Sequence, residues 1–298
     1  MRVLITGATG FIGQILMPYV LAQPETAVSL LLRETYSGRP LPPSLASHRE
    51  QLQFVYADLR NYQLTARAVA EAEPDVVIHL AAAGVTDPFM SIDTALRHNL
   101  NGTIHLARAC FEKRFGTRRL VVARTPGEHS SMNVYAASKA AAWQFCHMFA
   151  RTQGWPIVGS MVFHAYGPGQ SERNLIPAAL QAARSGHDFP MTAGTQRRDW
   201  IYVEDVVAGL WQTAVSPHLP SATTIELGTG QATSVADVVR LIYTLFGTGG
   251  QPLIGRLPGR PGEEPTQVAD VAQTEALIGW KTAVSLPDGL RKIVISNR

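Results

Sequence analysis

The sequence has few of the features that mark secreted, membrane or metal-binding proteins. Only two cysteines occur, Cys110 and Cys146, and both lie in apolar stretches, so neither a disulfide framework nor a zinc site is predicted. No apolar run reaches the roughly 18 residues of a membrane span. The opening "MRVLIT" is typical of a strand, and no charged start followed by an apolar core and a cleavage site precedes it, so no signal peptide is expected. We expect a cytoplasmic protein that binds no metal and no membrane.

The sequence also has only a small excess of positive over negative charge. The formal net charge is +3, and the basic residues are scattered without a long run. This distribution favours a small phosphate-bearing ligand over a nucleic acid. Hydrophobic residues make up 46% and charged residues 16% of the 298 residues, which is enough apolar material for a large core and argues against disorder.

Apolar runs alternate with amphipathic segments over the first 160 residues. The runs are 2–6, 27–32, 52–57, 75–80, 119–123 and 156–163, and the amphipathic segments lie near 11–22, 61–73, 92–114 and 134–152. Continuous Val, Ile and Leu runs are typical of strands buried on both faces. We therefore predict an α/β fold of the Rossmann type, a doubly wound parallel sheet with helices on both sides.

The rhythm of the sequence loosens after "YGPGQ" at 166–170. Strands become shorter, and helices are expected near 173–185, 204–215 and 233–246. We assign 1–165 to a dinucleotide-binding domain, with 199–218 packing back on it, and 166–298 mainly to a smaller α/β substrate domain. The Pro- and Ser-rich stretch 35–48 is predicted as a surface loop.

Three glycines, Gly7, Gly10 and Gly13, follow the first strand and begin a helix. Glycines there permit a tight turn and let the backbone approach a pyrophosphate, while the helix N-terminus offers N–H groups to the anion. The pattern predicts dinucleotide binding.

The end of the second strand bears on the choice of cofactor. Arg33 favours a 2′-phosphate and hence NADP, whereas Glu34, one residue later, could bind a ribose 2′-hydroxyl and keeps NAD open. Asp58, after the third strand, could accept a hydrogen bond from adenine or could cap the helix at 61–73.

Tyr135 and Lys139 stand four residues apart and so share one helix face. An ammonium near a phenol lowers the phenol's pKa, and such a tyrosine can exchange a proton with an alcohol or ketone. This chemistry accompanies hydride transfer with a nicotinamide.

Several motifs occur together in order: "TGATGFIG", "HLAAAG", "HNLNGT", "VYAASKAA", "YGPGQ" and "RRDWIYVEDV". With them the whole chain resembles the extended short-chain dehydrogenase/reductase family, in its nucleotide-sugar epimerase/dehydratase branch. The resemblance implies a nicotinamide cofactor, a nucleotide-diphosphate sugar as substrate and a homodimer. It implies catalysis by Tyr135 as acid/base, Lys139 on the nicotinamide ribose and Thr125 on the reacting oxygen.

The resemblance also implies two sets of binding residues. Cofactor contacts are expected at Gly7, Gly10, Phe11, Ile12, Gly13, Arg33, Asp58, Leu59, Ala81, Ala82, Asn99, Tyr135 and Lys139. Asn99 has an alternative role as an interhelical hydrogen-bonding group. Substrate contacts are expected at His164, Asn174, Arg198 and Arg260, the two arginines clamping the diphosphate through paired donors. His164 could instead be a buried histidine with satisfied hydrogen bonds.

The segment before Tyr135 departs from the family pattern. Arg124 replaces a small residue, His129 stands where an aromatic is usual, and Ser130 or Ser131 could stand in for Thr125. We expect a nucleotide-sugar 4-ketoreductase, because Arg33 suits NADPH, with a 4-epimerase as the alternative. A 4,6-dehydratase is less favoured because Pro126 and Gly127 follow Thr125 where an acidic pair is expected. A weakly catalytic dinucleotide sensor or scaffold is a further alternative.

Overall fold

The structure is a computed structural model that describes residues 1–33, 40–85, 87, 89–113, 116–247, 249–259 and 262–296. It divides into two compact units. The first comprises residues 1–161, 207–225 and 276–280, and the second comprises 162–206, 226–275 and 281–296 of the described chain.

A seven-stranded sheet organises the first unit. In spatial order its strands are β10 (Thr224–Leu227), β6 (Ile157–Val162), β5 (Arg119–Arg124), β4 (Val76–His79), β1 (Arg2–Thr6), β2 (Ala27–Leu32) and β3 (Leu52–Tyr56). The pairings from β6 to β3 are parallel, with Ile5 opposite Leu30 on one side and Ile78 on the other. The predicted doubly wound parallel α/β sheet is therefore confirmed.

Helices occur in both units. In chain order the helices are α1 (Phe11–Leu21), α2 (Pro43–Ala46), α3 (Tyr62–Ala72), α4 (Ile92–Ala95), α5 (Gly102–Phe111), α6 (Val134–Gln153), α7 (Leu175–Arg184), α8 (Val203–Val215), α9 (Val235–Phe246), α10 (Val271–Ile278) and α11 (Leu286–Ser296). Of these, α7, α9 and α11 belong to the second unit. Leu4, Val77, Leu106, Leu120 and Ile157 lie in one buried cluster, so apolar runs from different strands and helices share one interior. None of the described helices is both long and apolar enough to cross a bilayer.

Two segments differ from the sequence expectation. The predicted helix 92–114 contains a π-helical turn, Leu96–Asn101, between α4 and α5. The predicted loop 35–48 contains α2, which Pro43 begins; proline suits a first helical position because its fixed φ is already helical and no N–H is needed there. Residues 34–39 of that loop lie outside the described chain.

The second unit has its own small sheet and core. β7 (His164–Tyr166), β11 (Ala232–Ser234) and β13 (Thr266–Gln267) all pair with β9 (Arg197–Tyr202), and β8 (Phe189–Pro190) pairs with β12 (Pro252–Leu253). The buried Asp199 carboxylate accepts hydrogen bonds from the backbone N–H groups of Thr229, Gly230 and Ala269. One carboxylate on β9 thus fixes two loops of this unit.

Candidate functional site

The turn between β1 and α1 is built from close backbone contacts. Gly7 has a φ of +76°, and a Cβ on it would lie 2.6 Å from the backbone nitrogen of Ala81. A Cβ on Gly13 would clash with the carbonyl oxygen of Gly7, whereas one on Gly10 would meet nothing closer than 3.3 Å. The glycines at the first and third positions are therefore required by the fold itself.

The N-terminus of α1 is open to an anion. Gly10 is its N-cap residue, no side chain caps it, and no acidic residue lies in its first turn. The first N–H groups of a helix have no intrahelical partner and carry the positive end of its dipole. The turn and the helix end together therefore fit a dinucleotide pyrophosphate, with Phe11, Ile12 and Gly13 supplying the first backbone groups.

A buried histidine joins this turn to the neighbouring strand end. Thr103 Oγ1 donates to the carbonyl of Asn99 at 2.7 Å, so His79 Nε2 donates to Thr103 Oγ1 at 3.0 Å and His79 Nδ1 accepts from Thr6 Oγ1 at 2.7 Å. Thr6 Oγ1 in turn accepts from the N–H of Ala81 at 3.3 Å. Burial lowers the pKa of His79 to about 3, which keeps this chain of hydrogen bonds neutral.

Asn99, in the π-helical turn, binds the backbone of Ala83 and the side chain of Ser138. Its Oδ1 accepts from the N–H of Ala83 at 2.8 Å, and its Nδ2 donates to the carbonyl of Ala83 at 3.0 Å and to Ser138 Oγ at 2.9 Å. Ser138 Oγ donates to the carbonyl of Tyr135 at 2.7 Å. Asn99 therefore makes the interhelical bond considered from the sequence, and it ties the segment after β4 to the first turn of α6.

Tyr135 and Lys139 lie in the first two turns of α6, which Asn133 caps by accepting from the N–H of Ala136 at 2.8 Å. The Lys139 side chain is buried, with 4% of the residue exposed. No hydrogen bond or ion pair joins Lys139 Nζ to another residue of the described chain. An ammonium with so little exposed surface gains from a ligand that supplies a partner, which fits the expected contact with a ribose.

The electrostatic surroundings of this pair differ from the sequence expectation. Desolvation and, second, the charge of Glu128 raise the pKa of the Tyr135 phenol above its usual range. Desolvation lowers the pKa of Lys139, while Glu128 opposes that shift and Arg124 adds to it. The lysine was expected to lower the tyrosine's pKa; in this structure burial and then a nearby carboxylate raise that pKa instead.

The segment after β5 forms a single 3₁₀ turn, Pro126–Glu128, held by a buried ion pair. Arg124 Nε donates to Glu128 Oε2 at 2.8 Å, and Glu128 Oε1 accepts from the N–H of Thr125 at 3.0 Å. Thr125 thus follows the strand directly. Ser130 Oγ lies 3.5 Å from the carbonyl of Gly127 within the same turn, and the next residue, Ser131, is exposed with a φ of +50°.

The residues expected to read the adenosine half lie after β2 and β3. Arg33 is exposed directly after β2, and Glu34 lies outside the described residues. Asp58 does not cap α3, because Asn61 does so by accepting from the N–H of Leu64 at 3.2 Å. The Asp58 carboxylate instead binds Arg60 at 2.5 Å, and that hydrogen bond lowers its pKa. The carbonyl of Leu59, next to it, accepts from His105 Nδ1 at 2.8 Å.

In the second unit, His164 and Arg198 lie on the paired strands β7 and β9. The His164 ring lies against Trp200 at 5.4 Å, and its buried Nδ1 has no hydrogen-bond partner among the described residues, so it is not a satisfied core histidine. Burial, and then the charge of Arg198, lowers the pKa of His164 to about 3, so the ring is neutral. Arg198 is buried rather than a surface residue.

Arg198 already has several partners. It donates to the carbonyls of Arg197 and Glu264 at 2.9 Å and to Glu263 Oε1 at 3.2 Å. Asn174 is the N-cap residue of α7 but makes no side-chain cap bond, so its side chain and the helix end remain available to a phosphate. Arg260 lies outside the described residues, and the proposed two-arginine clamp remains a prediction.

Comparison with known proteins decides the family. A profile described as the NAD dependent epimerase/dehydratase family matches residues 3–228. The chain belongs to this family. The resemblance to extended short-chain dehydrogenases/reductases is thereby confirmed, and so is a coarse function: an enzyme of the NAD-dependent nucleotide-sugar epimerase/dehydratase type.

Individual relatives span the whole chain. A dTDP-glucose 4,6-dehydratase of Neisseria gonorrhoeae is 29% identical, covering 98% of this chain and 94% of its own. A Bacillus cereus UDP-glucuronic acid 4-epimerase mutant, solved with UDP-4-deoxy-4-fluoro-glucuronic acid and NAD, has a TM-score of 0.87 at 22% identity and covers 98% of both chains. MoeE5, solved with UDP-glucuronic acid and NAD, has a TM-score of 0.85 at 28% identity, covering 100% of this chain and 99% of its own.

Sequence reasoning missed three features of this epimerase/dehydratase site. Ser138, which links Asn99 to Tyr135, stands in the quoted motif but was given no role. The Arg60 partner of Asp58 lies two residues on. Glu128 is four residues after Arg124, a spacing that signals an ion pair in a helix, but the segment carries no helical pattern.

Proposed function

We propose that this member of the epimerase/dehydratase family is a nucleotide-sugar 4-epimerase that uses NAD. The observation that carries the proposal is the state of the only carboxylate between Thr125 and Tyr135. Glu128 is buried, and both of its oxygens are taken, one by Arg124 and one by the N–H of Thr125. A 4,6-elimination needs a free acid beside the reacting sugar, whereas 4-epimerisation needs only a proton acceptor at the C4 hydroxyl.

The roles of the side chains follow from their positions. The glycine turn would hold the dinucleotide by its pyrophosphate, and the nicotinamide would supply reversible hydride exchange at the sugar C4. Tyr135 accepts the proton of the C4 hydroxyl and gives it back, Lys139 holds the ribose, and Thr125 Oγ1 donates to the reacting oxygen. The raised pKa of Tyr135 favours the protonated phenol, which suits the reduction half of the cycle.

On the substrate side, a nucleotide diphosphate is the ligand we propose. The uncapped N-terminus of α7 and the buried guanidinium of Arg198 suit a diphosphate. His164 Nδ1, which has no hydrogen-bond partner among the described residues, suits a polar group of the sugar nucleotide. The UDP-sugars bound to the two solved relatives support this ligand class.

A second candidate is an NADPH-dependent 4-ketoreductase. It rests on Arg33, whose exposed guanidinium directly after β2 suits a 2′-phosphate. The NAD in the solved relatives favours the epimerase instead.

The test is turnover in D₂O with NAD and a panel of UDP- and dTDP-hexoses, analysed by NMR. An epimerase yields the C4 epimer without net NADH. A dehydratase yields a 4-keto product with solvent deuterium on the sugar, because elimination requires removal of the C5 proton. If the protein converts only a 4-keto sugar nucleotide and consumes NADPH, the proposed function changes from epimerase to ketoreductase. Binding of cofactor without any turnover would favour the sensor or scaffold.

We also propose that the protein forms a homodimer. Exposed large apolar side chains, Ile92 and Leu96 around α4 and Phe145 and Met148 on α6, lie on two neighbouring helices of the first unit. Such a patch suits burial against a second copy. Light scattering during size exclusion measures the mass directly, and a monomer would contradict the proposal.

A further inference from the structure

The ion pair between Arg124 and Glu128 is unusual in its setting. The two side chains are 12% and 2% exposed, and the Glu128 Oε2 atom lies 2.8 Å from Arg124 Nη2 as well as from Nε. Burial removes both charges from water, which is expensive unless each is fully paired. Such a pair next to a candidate catalytic tyrosine calls for a reason beyond stability.

The surroundings of Arg124 fix it on every side. Its Nη1 donates to Thr224 Oγ1 at 2.6 Å, and its guanidinium lies over the Trp143 ring, 4.5 Å from the centroid. Gly159 on β6 leaves room for it, because a Cβ there would lie 2.7 Å from Arg124 Cδ. Residues of two strands and one helix therefore surround the Arg124 side chain.

The stripe of α6 that faces the pair is the one that carries the chemistry. Tyr135, Lys139 and Trp143 recur every four residues and so lie on one face of the helix. Arg124 stacks on the last of them, while the charge of Glu128, four residues from Arg124, adds to the raised pKa of Tyr135 and opposes the lowered pKa of Lys139.

The other charged or titratable groups near Lys139 are few among the described residues. Cys146 lies two turns further along the same helix, and its burial raises its thiol pKa to about 12. His79 on β4 is neutral, since burial and the charge of Lys139 lower its pKa to about 3. Glu128 and Arg124 are therefore the permanent charges that act on Lys139, and they act in opposite directions.

We propose that Arg124 and Glu128 form a positioning pair that balances the charge felt by Lys139 and fixes the Thr125 backbone, so that the site keeps a charged lysine beside the cofactor ribose. The proposal rests on the dinucleotide site of the proposed function. Neither side chain is assigned contact with substrate or cofactor; both act through Lys139, Tyr135 and Thr125.

The test compares four variants by the pH dependence of NADH affinity, followed by cofactor fluorescence over the range in which a buried lysine titrates. Glu128→Gln leaves Arg124 uncompensated, so the pH at which affinity falls should move down by about one unit. Arg124→Gln leaves Glu128 uncompensated and should move it up. The double variant R124Q/E128Q removes both charges and should return the midpoint close to that of the unaltered protein.

Thr224→Val is the matched control, because it removes a hydrogen bond of Arg124 but keeps both charges; its midpoint should not move. Shifts in one common direction, or none, in folded E128Q and R124Q proteins would overturn the proposal while leaving the proposed function intact. If a single variant does not fold, a folded double variant whose midpoint moves by about a full unit overturns it equally. Lack of NADH binding by the unaltered protein would overturn the proposed function first, and this inference with it.

Discussion

The turn after β1 and the turn after β5 both lie at the carboxyl ends of parallel strands in one sheet, but different forces fix them. Backbone atoms shape the first, since Gly7 and Gly13 allow contacts that no side chain would permit. Side-chain charges shape the second, where Glu128 joins Arg124 to the N–H of Thr125. A turn shaped by the backbone is visible in the sequence, and a turn shaped by side-chain partners is not.

The largest expected effect concerns Tyr135, which follows the second turn along the chain, and tests whether this residue takes part in the reaction. Tyr135→Phe removes one hydroxyl from α6, so folding and cofactor affinity should survive while kcat falls by about 10²–10⁴, the usual share of a positioned acid/base. Steady-state kinetics on any accepted sugar nucleotide, with cofactor titration alongside, measures both quantities. Unchanged turnover would remove Tyr135 from the reaction.

The next prediction concerns a substitution that should distort the first turn and leave the second turn unchanged. Gly13→Ala places a Cβ against the carbonyl of Gly7, so the backbone must shift, and we expect a loss of about 1–3 kcal/mol in the free energy of unfolding without cofactor. Gly10→Ala is the matched control, because among the described residues its Cβ meets only Gly7 O, at 3.3 Å. Equal losses in chemical denaturation would contradict the packing argument.

These two turns also show how much the sequence can predict. The runs of Val, Ile and Leu predicted all six parallel strands, because such residues favour strands buried on both faces. The placement of Tyr135 and Lys139 on one face of α6 was predictable because four-residue spacing is a local property of a helix. The glycine turn was predictable because only glycine tolerates its geometry.

Features that depend on distant partners could not be predicted. The π-helical turn at Leu96–Asn101 interrupts a segment whose pattern is that of one helix, and Asn99 within it binds Ala83 and Ser138, 16 and 39 residues away. Arg124 binds Thr224, 100 residues away. The pKa directions of Tyr135 and Lys139 depend on burial, which spacing alone does not reveal.

A third prediction concerns the pH dependence of stability that His79, bonded beside the first turn, should cause. His79 is held neutral with a pKa near 3, below the ordinary value of 6.5, so the unfolded chain binds a proton first as the pH falls. Stability should therefore be fully present above pH 6.5 and decline below it, by about 1.4 kcal/mol per pH unit for this histidine. Denaturant titrations at several pH values measure the slope.

His79→Gln should reduce that slope, because it removes the histidine whose pKa the fold lowers. His164 contributes a second slope of the same sign, because its pKa is also lowered to about 3. A slope that is equal in His79→Gln and the unaltered protein would show that His79 is not neutral in the fold.

A fourth prediction concerns the cofactor rather than the turns themselves. Arg33→Asp should weaken NADP more than NAD by about 1–3 kcal/mol, the scale of one charge-assisted contact. Calorimetric titration of both cofactors gives the difference directly. Equal losses for the two would show that Arg33 does not contact a 2′-phosphate and would remove the basis of the ketoreductase alternative.

The smallest expected effect concerns the hydroxyl that the second turn presents. Thr125→Val keeps the side-chain shape and the backbone N–H bonded to Glu128 at 3.0 Å, but removes the donor to the reacting oxygen. The loss of one hydrogen bond is about 0.5–1.5 kcal/mol, so kcat should fall by only a few-fold to about tenfold, much less than for Tyr135→Phe. Ser130→Ala and Ser131→Ala are the controls, because Ser130 Oγ lies 3.5 Å from the carbonyl of Gly127 in its own turn and Ser131 is exposed. A silent Thr125→Val together with a crippled Ser130→Ala or Ser131→Ala would move the hydroxyl to that serine, and the turn after β5 would then hold its donor on an exposed segment rather than directly at the end of the strand.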